Sequence, residues 1–251
     1  MVKIILMYHD IYRDSVKESG FQNNSAFQYK VQLEEFERHV AAVSEYCKQH
    51  TDTEVEFTFD DGGVSFFTYV APILEKYELH GSFFISTKYL DTPLFLTTEQ
   101  LHVLVEHGHC IGSHSHSHPV LTDLTDEVIG EEWNLSLNKL EKYIIGEMTA
   151  SIPNGGESKS VLKKAAEVGI EVLYTSVPTT RTKKLGNMLI KGRYVVYQGM
   201  KTEDVMTIVS NKSRRRMMYM RWQILQIIKF ILGDRYSRLK YFLLKKKSFF
   251  I

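Results

Sequence analysis

Apolar positions along this chain switch repeatedly between two periods. Val2 to Met7 is apolar apart from Lys3 and reads as a buried strand. Val55-Glu56-Phe57-Thr58-Phe59 alternates β-branched or aromatic residues with polar ones, a second strand, which Gly62-Gly63 ends. A helix is expected over Phe67–Tyr77 and a strand over Ser82–Ile85. Thr97 with Gln100 three residues later is a capping box, opening a helix that runs to near Gly108. Cys110-Ile111-Gly112 reads as a short strand end. Helices are expected over Glu127–Ile145 and Ser158–Val168, the second stopped by Gly169, with a strand over Glu171–Tyr174. Strands alternating with helices predict an α/β fold of parallel strands, with functional residues at their C-terminal ends.

At 251 residues and 43% hydrophobic composition the chain can fill one barrel-sized core. Cys47 and Cys110 are the two cysteines; both are expected to be buried, and their spacing suits neither a zinc knuckle nor a disulfide scaffold. No stretch reaches the length of an uncharged spanning helix, and Met1–Met7 is too short for a signal h-region, so a cytoplasmic protein is the simplest expectation.

The formal net charge of +1 hides a split. Residues 212–251 hold twelve Lys/Arg and one acid, Asp234, about +11, which leaves about −10 for residues 1–211. This basic segment is also apolar, from Trp222 and Ile224 to Phe242, Leu243, Lys245-Lys246-Lys247 and Phe250. Two domains are therefore expected: 1–205, and a basic, apolar helical tail, 206–251. The tail pattern fits interfacial helices on an anionic membrane face, or a helix packed on the barrel's end with its basic side solvated. No nucleic-acid-binding motif accompanies the charge.

Chemistry concentrates in two runs. Thr58-Phe59-Asp60-Asp61-Gly62 puts two adjacent carboxylates at a strand's end. They would diverge on a regular strand, but a turn can bring both to one cleft, one holding a cation and the other acting as a base. His114-Ser115-His116-Ser117-His118-Pro119 supplies three imidazoles. His114 and His118 share a face in one helical turn, His114 and His116 in an extended segment, and spacing alone leaves the converging pair open. Two histidines and one carboxylate form a recurring metal site, the minimum for metal-assisted hydrolysis. Six others, His39, His50, His80, His102, His107 and His109, read as surface or packing residues.

These two runs resemble the first two signatures of the NodB-like polysaccharide deacetylases, carbohydrate esterase family four, over roughly residues 1–200. The resemblance implies a distorted, incomplete (β/α) barrel of about seven parallel strands. It implies Asp60 as general base and Asp61, His114 and His118 as ligands of one divalent metal, with His116 a cleft residue outside the ligand set. The third signature keeps a proline and glycine in Ala150-Ser151-Ile152-Pro153-Asn154-Gly155-Gly156 but lacks its arginine, for which Arg193 on a later strand is the expected substitute. The fourth signature's tryptophan is missing; Tyr174-Thr175-Ser176 stands there. No histidine follows His118 to serve as the fifth signature's acid. Tyr8-His9-Asp10 resembles the opening of the biofilm poly-N-acetylglucosamine deacetylase branch, which implies His9 as the acid.

The implied activity is removal of N-acetyl groups from a glycan or lipid-linked sugar, releasing acetate. Tyr8, Pro153, Asn154, Tyr174 and Arg193 are the expected substrate contacts. The metal is expected to be zinc, with cobalt, nickel or iron as alternatives. Peripheral attachment to the inner membrane face through residues 212–251 is expected, with no nucleic-acid partner. An O-acetyl esterase or non-sugar amide deacylase on the same site, and a degenerate glycan-binding barrel, are the competing readings.

Overall fold

The computed structural model describes residues 1–232; residues 233–251, with the Lys245–Lys247 run, lie outside the described residues. The strands are β1 (Val2–Tyr8), β2 (Ile11–Tyr12), β3 (Val31–Gln32), β4 (Thr53–Phe59), β5 (Gly81–Ile85), β6 (Cys110–Ser113), β7 (Thr149–Ser151), β8 (Val172–Thr175), β9 (Lys183–Leu185), β10 (Met188–Gly192) and β11 (Tyr194–Val195). The helices are α1 (Asn24–Phe27), α2 (Leu33–Gln49), α3 (Ala71–Lys76), α4 (Thr98–Glu106), α5 (Asp126–Leu140), α6 (Lys159–Glu167), α7 (Thr202–Ser210) and α8 (Lys212–Leu232).

The main sheet runs β11-β1-β4-β5-β6-β7-β8-β10-β9, parallel throughout except for the β10–β9 edge pair. Strand β10 pairs with β8 at one side, and β11 pairs with β1 at the other. Only Arg193 separates β10 from β11 in the chain. The sheet therefore curls until one residue bridges its two sides, the incomplete (β/α) barrel expected from the sequence, and that residue is placed over the barrel's mouth.

Strand parity sorts the side chains. Ile4, Leu6, Tyr8, Phe57 and Phe59 face the outer layer, where Phe36 and Val40 of α2 and Leu74 of α3 cover them. Ile5, Phe84, Val172 and Tyr174 fill the interior. Trp133 of α5 and Val161 of α6 cover the β7–β8 side. Each fully buried phenylalanine contributes about 1.5–3 kcal/mol of transfer free energy.

The capping box forms as expected, Thr97 accepting from Gln100 N–H ahead of α4. The helix expected over Phe67–Tyr77 instead opens with a π-turn, Phe66–Val70, before α3. Pro72 lacks the N–H that a regular turn needs there. The helix expected to reach Ile145 ends at Leu140 and passes into a 3-10 turn, Glu141–Tyr143. The cysteines are not both buried: Cys110 opens β6 at the solvent edge and is exposed, and Cys47 is half-buried. The expected domain boundary after residue 205 falls inside α7, whose Val205, Ile208 and Val209 belong to the outer core. Helix α7 therefore packs with the barrel. No helix among the described residues is long and apolar enough to cross a membrane.

Candidate metal and catalytic centre

The centre lies where β1, β4, β6 and β7 end. Asp60 N–H still bonds to Tyr8 O, continuing the sheet ladder for one residue. Asp61 then takes φ 91° and Gly62 φ 90°. This left-handed turn rotates Asp61 back toward the side Asp60 occupies, so adjacent carboxylates that a regular strand would separate converge. The histidine run uses the same device: His114 follows β6, Ser115 adopts φ 61°, and His118 φ 60°. Non-glycine residues in such conformations cost about 1–3 kcal/mol each and persist only when surrounding contacts hold them. Glu132 of α5 supplies that hold, accepting His116 N–H at 3.0 Å, Ser117 N–H at 2.7 Å and Ser117 Oγ–H at 2.7 Å.

Asp61 Oδ1 stands 3.4 Å from His114 Nε2 and 3.2 Å from His118 Nε2. One donor atom from each of the three residues lies within 4.8 Å of the other two. The second imidazole of the set is thus His118. His116 turns away to Thr87 Oγ1, 3.0 Å from its Nδ1.

His114 Nδ1 faces Ser151, 3.1 Å from its carbonyl and 2.6 Å from its hydroxyl. A carbonyl accepts only, so Nδ1 carries the proton and the Nε2 lone pair points at Asp61. Asp61 Oδ1 is buried without a hydrogen-bond partner. Lone pairs converging on an unpartnered carboxylate oxygen fit a cation between them, and the two-nitrogen, one-oxygen set suits zinc, cobalt, nickel or iron. His118 is edged by Phe21, ring centroids 4.9 Å apart, which together with Tyr89 and Phe95 forms an aromatic wall.

Asp60 has different partners. Arg193 grips it with both terminal nitrogens, Nη1 to Oδ1 at 2.6 Å and Nη2 to Oδ2 at 2.7 Å. Ser151 Oγ–H donates to Oδ1 at 3.1 Å. Arg193 is wholly buried and also donates to Thr58 Oγ1 and Thr175 O. Burial pushes the Asp60 pKa up, but Arg193 and then His114 outweigh it, and the net direction is down. Asp60 is therefore an ionised group held by one buried cation, with its Oδ2 4.0 Å from His114 Nε2 of the Asp61 cluster.

His9 follows β1 and stacks on Tyr29 at 4.7 Å, its Nδ1 buried without a partner. Burial lowers its pKa; Asp61 and Asp60 are close enough to oppose that and do not reverse it. Its neighbour Asp10 is structural: the carboxylate accepts from Ser19 and Ser65 at 2.6 and 2.9 Å and pairs with buried Lys30 at 3.8 Å. Burial pushes its pKa up to about 6. A Cβ on Gly63 would meet that carboxylate, so only glycine fits beside it.

Two expected substrate contacts, Tyr8 and Tyr174, lie elsewhere. Tyr8 is fully buried in the outer core, its hydroxyl 3.2 Å from His39 Nδ1. Tyr174 faces the barrel interior, packed on Phe84 and donating to Glu56 at 2.7 Å. Neither presents a face to a sugar. Pro153 is buried, and Asn154 bends back to donate to the carbonyls of His118 and Pro119. Arg193 has no exposed surface for substrate and serves Asp60 instead. Sequence reasoning missed Ser151 and Glu132; a serine and a helical glutamate carry no sequence signal of their own.

A cleft of about 140 Å³ is lined by Ile152, Gly155, Glu157, Thr175, Ser176, Val177 and, from α8, Trp222 and Gln226. None of the metal or carboxylate residues lines it; its links to the centre are Ile152, next to Ser151, and Thr175, whose carbonyl accepts from Arg193.

The sequence profile of the polysaccharide deacetylases matches residues 27–173, more than half of the chain. The chain belongs to the polysaccharide deacetylase family. His9 and Arg193 lie outside the matched span. A peptidoglycan-N-acetylmuramic acid deacetylase of Bacillus subtilis, PdaA, is 29% identical over 137 residues, 53% of this chain and 50% of that one. The chain spans about half the length of the first curated relatives it matches. Among solved structures, a polysaccharide deacetylase from Bacillus cereus superposes with a TM-score of 0.69 at 18% identity, covering 84% of this chain and 69% of that one. The Streptococcus pyogenes deacetylase PplD, solved with acetate, gives 0.66 at 19% identity over 84% and 99%. At these identities the family resemblance in structure is one of fold.

Proposed function

We propose that this polysaccharide deacetylase family member is a metal-dependent N-deacetylase, removing acetyl groups from an N-acetylated glycan, free or lipid-linked, and releasing acetate. One observation carries the reading: a carboxylate–imidazole–imidazole cluster with a separate, arginine-held carboxylate beside it. Two carboxylates in one pocket thereby receive different roles.

Asp61, His114 and His118 would hold the cation. When bound, a divalent ion supplies Lewis acidity toward an amide carbonyl and makes water a better acid. Asp60 remains ionised because Arg193 neutralises its burial, and it accepts the proton of the attacking water. The bidentate grip fixes its plane, so the receiving oxygen is oriented before substrate arrives. Ser151 bridges the two roles, holding His114 in the Nδ1–H tautomer while donating to Asp60.

The departing amine needs a proton. His9 is the group we assign to deliver it. Its depressed pKa makes it neutral at rest and a strong donor once protonated, so the proton that Asp60 removes from water is the one available for His9 to pass on. Family membership supports the amide substrate.

Acetate release from matched N-acetylated and O-acetylated oligosaccharides tests the assignment. The proposal expects release from the N-acetyl series; release from the O-acetyl series alone would make the protein an esterase.

A further inference from the structure

Helix α8 has two opposite faces. Arg215, Met218, Tyr219, Trp222 and Gln226 are partly covered, on the side that meets the barrel. Arg215 Nη1 donates to the carbonyls of Ile208 and Val209 at 2.7 Å each, tying the helix to the end of α7. On the other side Met217, Met220, Ile224, Ile227 and Ile231 are all exposed, at 57%, 51%, 55%, 58% and 72%. Their spacing of three, four, three and four residues makes one continuous stripe at helical period. Lys212 and Arg216 border it on one edge, and Arg214 and Arg221 on the other. Helix α8 contains no acidic residue.

We propose that α8 lies on an anionic lipid surface, its stripe in the headgroup–acyl boundary and its arginines among lipid phosphates. An apolar stripe with flanking cations matches a helix lying in a membrane interface. Arginine stems extend along the apolar stripe while their guanidinium groups reach the headgroups. A second copy of the chain is a poorer occupant, because pairing two such stripes sets unneutralised arginines against arginines on both flanks. Nucleic acid would use the cations and leave the stripe in water.

The consequence for the site is geometric. Trp222 and Gln226 line a cleft together with Thr175, whose carbonyl accepts from Arg193, while the opposite face of the same turns meets lipid. That cleft would then stand within about one helix diameter, roughly 10 Å, of the headgroups. A sugar carried on a lipid anchor reaches that cleft without leaving the surface. This docking is independent of the chemistry assigned to Asp60, and its test requires no turnover.

The experiment is co-sedimentation of the full chain with vesicles of phosphatidylcholine alone or mixed with phosphatidylglycerol, at low and high salt. Binding should require phosphatidylglycerol and fall with salt. Ile224→Glu with Ile227→Glu, and separately Arg214→Gln with Arg216→Gln and Arg221→Gln, should each weaken partitioning about tenfold or more. All these side chains are exposed, so the circular dichroism and any acetate release from a soluble oligosaccharide should stay as in the parent. Equal binding to both vesicle types, no binding to either, or full retention in both variants would overturn the proposal. So would a parent dimer that becomes monomeric in the Ile224/Ile227 variant, since the stripe would then be a self-interface.

Discussion

Arg193 and Asp60 are joined by two parallel N–H···O bonds of 2.6 and 2.7 Å, with the guanidinium wholly out of solvent. Arg193 is the single residue between β10 and β11, so the residue that grips Asp60 is also the one through which the chain joins the two sides of the sheet.

Removing that arginine should therefore do two things. Arg193→Ala leaves a buried carboxylate uncompensated, a change that costs about 3–5 kcal/mol when a buried pair is broken. It also withdraws the strongest influence lowering the Asp60 pKa, so the acidic limb of kcat/KM against pH moves to higher pH. A pH–rate profile with an unmoved acidic limb would mean that Asp60 is not the group titrating.

Ser151→Ala removes a hydroxyl that touches both His114 and Asp60 but leaves the backbone carbonyl to His114 in place. Loss of such an orienting contact weakens metal affinity by about 10–100-fold. Competition with a chelator of known affinity measures it, and parental affinity would show that the carbonyl alone orients the ring.

Acid stability has a separate origin. Glu35 of α2 accepts the Thr202 N–H and hydroxyl, both at 3.0 Å, and pairs with Arg38 at 2.7 Å. Arg38 first, then Thr202, hold its pKa down to about 2 against an ordinary 4.5. A depressed carboxyl pKa stabilises the fold above its unfolded value, and that contribution is lost as pH falls from 4.5 toward 2. The melting temperature should fall over this window, less steeply in Glu35→Gln. Identical slopes would remove Glu35 from the account.

The parallel α/β architecture was legible because apolar periods and caps repeat along the chain, and the capping box at Thr97 forms as written. The two chemical runs were legible as residue types. Their convergence was not: it depends on left-handed backbone at Asp61, Ser115 and His118, which nothing in those side chains announces. Tyr8 and Tyr174 misled because aromatics at strand ends suggest a sugar platform. Tyr8 keeps the parity of Ile4 and Leu6 and faces the outer core, and Tyr174 turns into the barrel. Arg193 was visible as a stand-in for a missing arginine, but its burial against Asp60 depends on a crossing between strands far apart in the sheet.

The central claim is tested most directly by measuring bound divalent metal and acetate release together in the parent, Asp60→Asn and His118→Ala. The account predicts one ion per chain in the parent, an ion retained with acetate release abolished in Asp60→Asn, and a weakly held ion in His118→Ala. Parental turnover by Asp60→Asn, or parental metal affinity in His118→Ala, would contradict it.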